Sequence, residues 1–307
     1  MTRLAAAVQQ YLGLRKSLGY KLYLPSLWLP DFASFLDAHG SSVITTELAV
    51  KWARQPTNAS PYHWAQRLSV VRQFARHHHA FDARTEVPPA DMIPYRVQRR
   101  IPHVYTAEQV TALMHEAACL SFPLRAASYE AILGLLAVTG MRVSEALALD
   151  DDDLDEGHQL LTVRSSKFGK SRHVPLHPTT LAALRDYACR RDRLRPHHRC
   201  PAFFISSRGG RVFLQNLNRV FPQLLARTGL DRVPGRRPRI HDLRHSFVLN
   251  TVRDWYRAGV DVEQRLPSLS TYLGHTSPVT TYWYLTATPE LLTAAAARAE
   301  RAWKVRP

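Results

Sequence analysis

His241-Asp242-Leu243-Arg244-His245, followed by Leu273-Gly274-His275 and then Tyr284, is the text on which the reading of this chain turns. His241 and Arg244 stand three residues apart, a spacing that puts both on one side of a helix. His275 directly follows a glycine and reads as a helix start, with Tyr284 nine residues on. Upstream, Thr139-Gly140 interrupts an apolar helical run, and Met141-Arg142-Val143-Ser144-Glu145 opens a new one. There Arg142 and Glu145 are again three apart, close enough for the carboxylate to orient the guanidinium. Between these stretches the period changes from helix to strand: Leu161-Thr162-Val163, a turn through Lys167-Phe168-Gly169-Lys170, then Arg172-His173-Val174-Pro175-Leu176.

Working outward, Thr106 with Gln109 makes a capping box that opens the C-terminal part, and a long apolar helix follows through Ile132, Leu135 and Leu136. Phe203-Phe204-Ile205 reads as a third strand. Residues 104–307 are therefore expected to be mainly α with a small antiparallel β-sheet, an α+β domain. Residues 1–85 read as about four short helices, from Leu4, Val8 and Leu12; Phe32, Phe35 and Leu36; Leu48, Val50 and Trp52 behind capping threonines; and Trp64, Leu68, Val71 and Ala75. Arg67, Arg72 and Arg76 give the last helix a basic side. Residues 86–103 carry Pro88, Pro89, Pro94 and Pro102 among Arg96, Arg99 and Arg100, and read as a linker.

The 307 residues suffice for two ordinary cores. They hold 41 Lys+Arg against 25 Asp+Glu, a net +16. Residues 1–103 contribute 13 and 6, a net +7, and the remainder 28 and 19, a net +9, so both parts are basic. Arginine far outnumbers lysine and forks readily onto phosphate oxygens, which points to a polyanionic partner. Three cysteines without metal-type spacing indicate neither a disulfide framework nor a zinc site. His197-His198-Arg199-Cys200 and His77-His78-His79 read as polar surface rather than ligand sets, and Asp150–Asp153 as a solvated acidic face. Neither a signal peptide nor a membrane span is legible, so a cytoplasmic protein without membrane partners is expected.

Arginines, histidines, a lysine on a hairpin turn and a tyrosine are the parts that direct transesterification at a phosphodiester requires. A nucleophile attacks phosphorus, positive donors stabilise the pentavalent transition state, and an acid protonates the leaving oxygen. A tyrosine hydroxyl, with a free pKa of about 10, needs a base and a positive pocket to attack. Lys167 and Lys170 compete for the acid's place, and Tyr284 competes with Tyr282 and Tyr272 for the nucleophile's.

The stretches TGMRVSEAL (139–147), SSKFGKSRHVPL (165–176), HDLRHSF (241–247) and YLGHTSPVTTYWYL (272–285) resemble the tyrosine recombinases of the phage integrase family, over roughly residues 104–295. Residues 1–85 resemble that family's helical core-binding domain in kind. The resemblance implies that Arg142 and Arg244 clamp the phosphate, Lys167 is the general acid, His241 assists proton transfer, His275 binds the phosphate and Tyr284 forms a 3′-phosphotyrosyl bond. Glu145 supports from behind. It further implies site-specific strand exchange on double-stranded DNA through a Holliday junction, by a homo-tetramer, in some cases with other recombinases. Neither metal nor other cofactor is implied. Arg67, Arg72, Arg76, Arg96, Arg99, Arg100, Lys170 and Arg172 are the expected DNA contacts. The segment Pro289–Ala299 would form a tail helix that docks into a neighbouring subunit. One departure is that the Arg244–His275 interval is longer than the family's usual one, by roughly two helical turns, around Asp254–Glu263. A type IB topoisomerase-like relaxation activity and a DNA-binding accessory protein are the alternatives.

Overall fold

The computed structural model describes residues 2–95, 102–164, 171–233 and 237–275. Arg96, Arg99, Arg100, Lys167, Lys170, Tyr282, Tyr284 and the expected tail helix lie outside the described residues. The chain divides into two compact units, Met1–Arg99 and Arg100–Pro307.

In the first unit, α1 (Arg3–Ser17), α2 (Tyr23–Ala38), α3 (Thr46–Arg54) and α4 (Pro61–His78) enclose one core. Thr2, Thr45 and Ser60 accept from the backbone N–H groups of Ala5, Leu48 and His63, and so cap α1, α3 and α4. In α3 the core takes Ala49, Trp52 and Ala53, while Leu48 and Val50 pack only at its edge. Helical spacing puts Ala49 and Ala53 on the Trp52 side, and the indole occupies the volume that the alanines leave.

The second unit opens with α5 (Ala107–Ala118), whose start is the Thr106–Gln109 capping box. The apolar α6 (Pro123–Thr139) ends at Gly140 in the left-handed region, φ +59°, and α7 (Val143–Ala148) follows. Strands β1 (Leu154–Asp155), β2 (Leu160–Val163) and β3 (Arg172–Pro175) form an antiparallel sheet in that order. The third strand is thus Leu154–Asp155 and not Phe203–Ile205. Of those residues only Ile205 makes an isolated bridge, to Arg211, with Ala202 just before them bridging Asp150; the buried Phe203 and Phe204 side chains pack into the helical core. Helices α8 (Pro178–Leu194) and α9 (Leu214–Arg227) complete that core.

Asp150–Asp153 is not a plain solvated face. Asp150 pairs with Arg211, Asp151 with Arg191 at 2.5 Å, and the buried Asp153 with Arg164 at 2.5 Å. Asp150 and Asp153 also cap a short 3-10 turn reciprocally, each carboxylate accepting from the other's backbone N–H.

The long interval after Arg244 is a helical hairpin. Helix α10 (His241–Arg257) runs through Asp254, the chain turns at Gly259 (φ +71°), and Asp261 caps α11 (Val262–Leu273). The hairpin has its own core of Val248, Leu249, Val252, Val262, Leu266, Leu269 and Leu273. The expected helix start at His275 stands at the edge of the described residues; before it α11 ends, with Gly274, φ +67°, as its C-cap.

Candidate functional site

A helix end leaves its last carbonyls without intrahelical donors. In α11 three of them are taken by three arginines from three other elements. Arg172 Nε on β3 donates to Tyr272 O at 2.8 Å, Arg244 Nη2 on α10 to Leu273 O at 2.8 Å, and Arg142 Nη2 before α7 to Gly274 O at 3.0 Å. The helix dipole is negative at this end, so cations are favoured there.

Arg142 and Arg172 are joined again through Glu145. Its carboxylate accepts from Arg142 Nη1 at 2.7 Å and the Arg142 backbone N–H at 2.9 Å. It also accepts from Arg172 Nη1 at 3.1 Å and Nη2 at 2.8 Å. Burial alone would raise the Glu145 pKa, but these bonds, Arg172 foremost, hold it at about 2. The side chain is only 5% exposed, so a lost partner would leave a buried charge uncompensated.

Arg244 is buried at 3% exposure. Besides Leu273 O it donates to Gly140 O at 2.9 Å and to His275 Nε2 at 2.8 Å. That second bond makes Nε2 an acceptor and leaves the proton on Nδ1. Burial first, then Arg244, Arg142 and Arg172, push the His275 pKa down to about 4, so the ring is neutral at pH 7. His241, at the start of α10, is also held below its ordinary value, by surrounding protein and then by Arg244. His245 packs edge-on against it with ring centroids 4.8 Å apart, and is pushed down to about 4, mainly by burial.

Two glycines permit this assembly. A Cβ at Gly140 would overlap the Phe247 ring, and one at Gly274 would stand 3.0 Å from Arg172 Nη1. Both sit at positive φ, which only glycine adopts without strain. Behind α10, Asp242 is buried and accepts from the Arg239 backbone N–H at 2.9 Å and the Arg239 guanidinium at 2.9 Å. Ser246 Oγ accepts from the Tyr105 N–H at 2.8 Å and so ties α10 to the segment before α5.

The structure therefore brings Arg142, Glu145, Arg244 and His275 together, with His241 one helical turn from Arg244. Lys167 and Tyr284 lie outside the described residues. Tyr272, a rival for the nucleophile's place, stacks on Phe247, and burial pushes its hydroxyl up to about 12.

Among the expected DNA contacts, Arg172 is enclosed, its side chain 12% exposed. Sequence reasoning missed its place in the site although a signal was there: it is in phase with Val174 and Leu176 on the inward face of the strand. Arg67 is also buried. It lies 3.7 Å over the Trp52 ring and donates to Trp52 O at 3.2 Å and weakly to Asp31, so it is a core residue of α4 rather than a phosphate contact. Arg72 donates to the carbonyls of Pro88, Pro89 and Ala90 and ties down the proline-rich stretch. Arg76 is exposed. Among the described residues, no cluster of His, Cys, Asp and Glu has the arrangement to hold a metal ion, and no helix is long and apolar enough to cross a membrane.

Comparison with known proteins bears on the same region. Residues 103–290 match the phage integrase family. A putative integrase/recombinase of Sinorhizobium fredii, y4rB, is 43% identical over the full length of both chains, and a second, y4rE, is 35% identical over 96% of each. Among solved structures, the Tn1549 transposon integrase in complex with transposon right end DNA superposes with a TM-score of 0.68 at 16% identity, covering 98% of this chain and 99% of that one. A lambda integrase dimer bound to a core site gives 0.60 at 19%, covering 92% and 95%. These two likenesses are of fold. With a family match over more than half its length and a full-length relative at 43% identity, the chain belongs to the phage integrase family of tyrosine recombinases.

Proposed function

We propose that this recombinase cleaves and rejoins double-stranded DNA at specific sites through a 3′-phosphotyrosyl intermediate. Tyr284 attacks the scissile phosphorus, and the 5′ oxygen leaves with a proton from Lys167. The religation step reverses this with the 5′ hydroxyl of a partner strand, so the bond energy is conserved in the tyrosyl ester. Two subunits per site, assembled as a tetramer, exchange strands in pairs through a Holliday junction.

The observation that carries this reading is the convergence of Arg142, Arg244 and His275 on the end of α11, above the buried Glu145. A planar guanidinium can chelate non-bridging phosphate oxygens, and two of them neutralise the charge that develops on a pentavalent phosphorus. The neutral His275 ring offers its Nδ1 proton as a further donor. His241, held neutral at pH 7, can take the tyrosine's proton. The raised pKa and the stacking of Tyr272 weigh against it as nucleophile and leave the tyrosines nine and seven residues after His275. The nine-residue interval to Tyr284 is the one that the family resemblance favours. Arg76, Arg96, Arg99, Arg100 and Lys170 are proposed as phosphate contacts.

The test is an SDS-resistant adduct assay in EDTA without ATP, on nicked DNA from the flanks of the protein's own gene. Wild type is expected to form the adduct and Tyr284→Phe to lose it while keeping DNA affinity. An adduct that survives Tyr284→Phe and vanishes in Tyr282→Phe would overturn the assignment. Specific DNA binding with no adduct at all would favour an accessory role.

A further inference from the structure

We propose that Arg172 is a positioning residue of the cleavage site, fixing the Glu145 carboxylate and the Tyr272 carbonyl at once and thereby setting where Arg142 and His275 stand. The inference rests on the reading of Arg142, Arg244 and His275 as phosphate ligands.

Arg172 meets Glu145 fork to fork, Nη1 on Oε1 and Nη2 on Oε2, and turns its third nitrogen, Nε, to the α11 carbonyl. Every nitrogen of the guanidinium is thus bonded within the protein, and the strand register points the side chain inward beside Val163. The side chain is 12% exposed, so the guanidinium is enclosed between Glu145 and the α11 end rather than presented to solvent. The consequences run in two directions. Glu145 is shared, so Arg142 does not neutralise it alone: Arg142 and Arg172 on this carboxylate, with Arg244 at the same α11 end, leave the site net positive by two, and without Arg172 by one. The α11 end, for its part, is held from three sides, and its next residue is His275. Without the bond to Tyr272 O, the chain that presents His275, and nine residues later Tyr284, loses one of its three fixed points. The close approach of Arg172 to Gly274, where a Cβ would crowd Nη1, is a built contact of the same kind. Lysine cannot replace this arrangement, because an ammonium is a point charge without the planar fork.

Wild type, Arg172→Gln and Arg172→Lys should be compared on the nicked duplex. The measurements are DNA affinity against salt, the adduct rate at saturating DNA, melting temperature, and the titration of the His275 ring by NMR. Arg172→Gln is expected to slow the saturated rate by about tenfold or more, in the range that small misplacements of reacting groups produce. DNA affinity should stay within about twofold and its salt slope unchanged, since no phosphate contact is lost. Arg172→Lys should recover part of the rate and no more. The His275 titration should move up in Arg172→Gln, because a nearby cation is gone.

A loss of affinity with a salt slope flatter by about one would make Arg172 a phosphate contact and overturn the proposal. So would a saturated rate within about twofold of wild type. A rate loss that follows melting temperature across both variants, with the His275 titration unmoved, would reduce Arg172 to a fold residue and overturn it too. If wild type forms no adduct, the cleavage reading fails, and the His275 titration alone decides whether Arg172 positions the α11 end.

Discussion

At the scale of single residues, the site stores its charge state in the fold. His245 and His275 are both held at about 4, chiefly by burial, while in the unfolded chain they titrate at ordinary histidine values of about 6.5. Between those values the unfolded state binds protons that the native state refuses, so stability rises with pH there and is lost as pH falls from about 6.5 toward 4. Glu145 acts lower down. Its pKa is depressed to about 2, so its contribution is complete above the ordinary carboxylate value and is lost only below it. Acid destabilisation should therefore begin near pH 6.5, on the order of 1 kcal/mol per ring by pH 5 once solvent screening of these partly exposed rings is allowed for. Denaturant unfolding at pH 7.5, 6 and 5 measures it, and His245→Gln should flatten the slope. A slope unchanged in that variant, or one that begins only below pH 4.5, would sink this account.

At the scale of elements, α4 separates two uses of arginine that the sequence presents alike. Arg67 and Arg76 lie nine residues apart on one helix, yet the first is buried over Trp52 and the second faces solvent. Arg67→Ala should lower the melting temperature by several degrees, since it removes a packed guanidinium and leaves Trp52 O without that donor. Arg76→Ala should leave melting unchanged and weaken DNA binding uniformly across sequences. If Arg67→Ala melts like wild type and loses affinity, the division is wrong. The same contrast explains what was legible. Capping boxes, the α6–Gly140 break and the β2–β3 hairpin are local signals, set by a few neighbouring residues, and the sequence carries them openly. Arg67, Arg172 and the aspartates of 150–153 take their roles from partners tens of residues away in the chain, and charge alone marks them as surface. The strand at Leu154–Asp155 is two residues long, too short for any periodicity to register, while the aromatic run at 203–205 has strand composition without a strand neighbour to pair with. The end of α11 just before His275 went unread for another reason: a left-handed glycine ends a helix, and the sequence reading used Gly274 only to mark a start.

For the whole molecule the governing quantity is the surplus of charge. Fifteen arginine–carboxylate ion pairs stand among the described residues, and Arg142, Arg172, Arg190, Arg191 and Arg211 all take part. Yet if each of the 25 carboxylates matched one of the 41 cations, 16 would still be unmatched. No internal arrangement can remove that excess, and residues 1–103 hold +7 of it against +9 in the rest. Self-repulsion of this size disfavours compaction unless a polyanion screens it. Binding to duplex DNA should therefore be driven by displaced counterions. A clamp that neutralises six or more phosphates gives a log–log salt slope of about −5 or steeper, and loses about a thousandfold in affinity between 50 and 200 mM salt. Fluorescence anisotropy on the cleavage site and on an unrelated duplex, over that range, reads both slopes. The two should be nearly parallel, because phosphate contacts carry no sequence information, with the specific site offset to tighter binding by its base contacts. Arg76→Ala should flatten both by about one, and Arg67→Ala neither. A flat response on either duplex would mean that the excess charge serves something other than DNA.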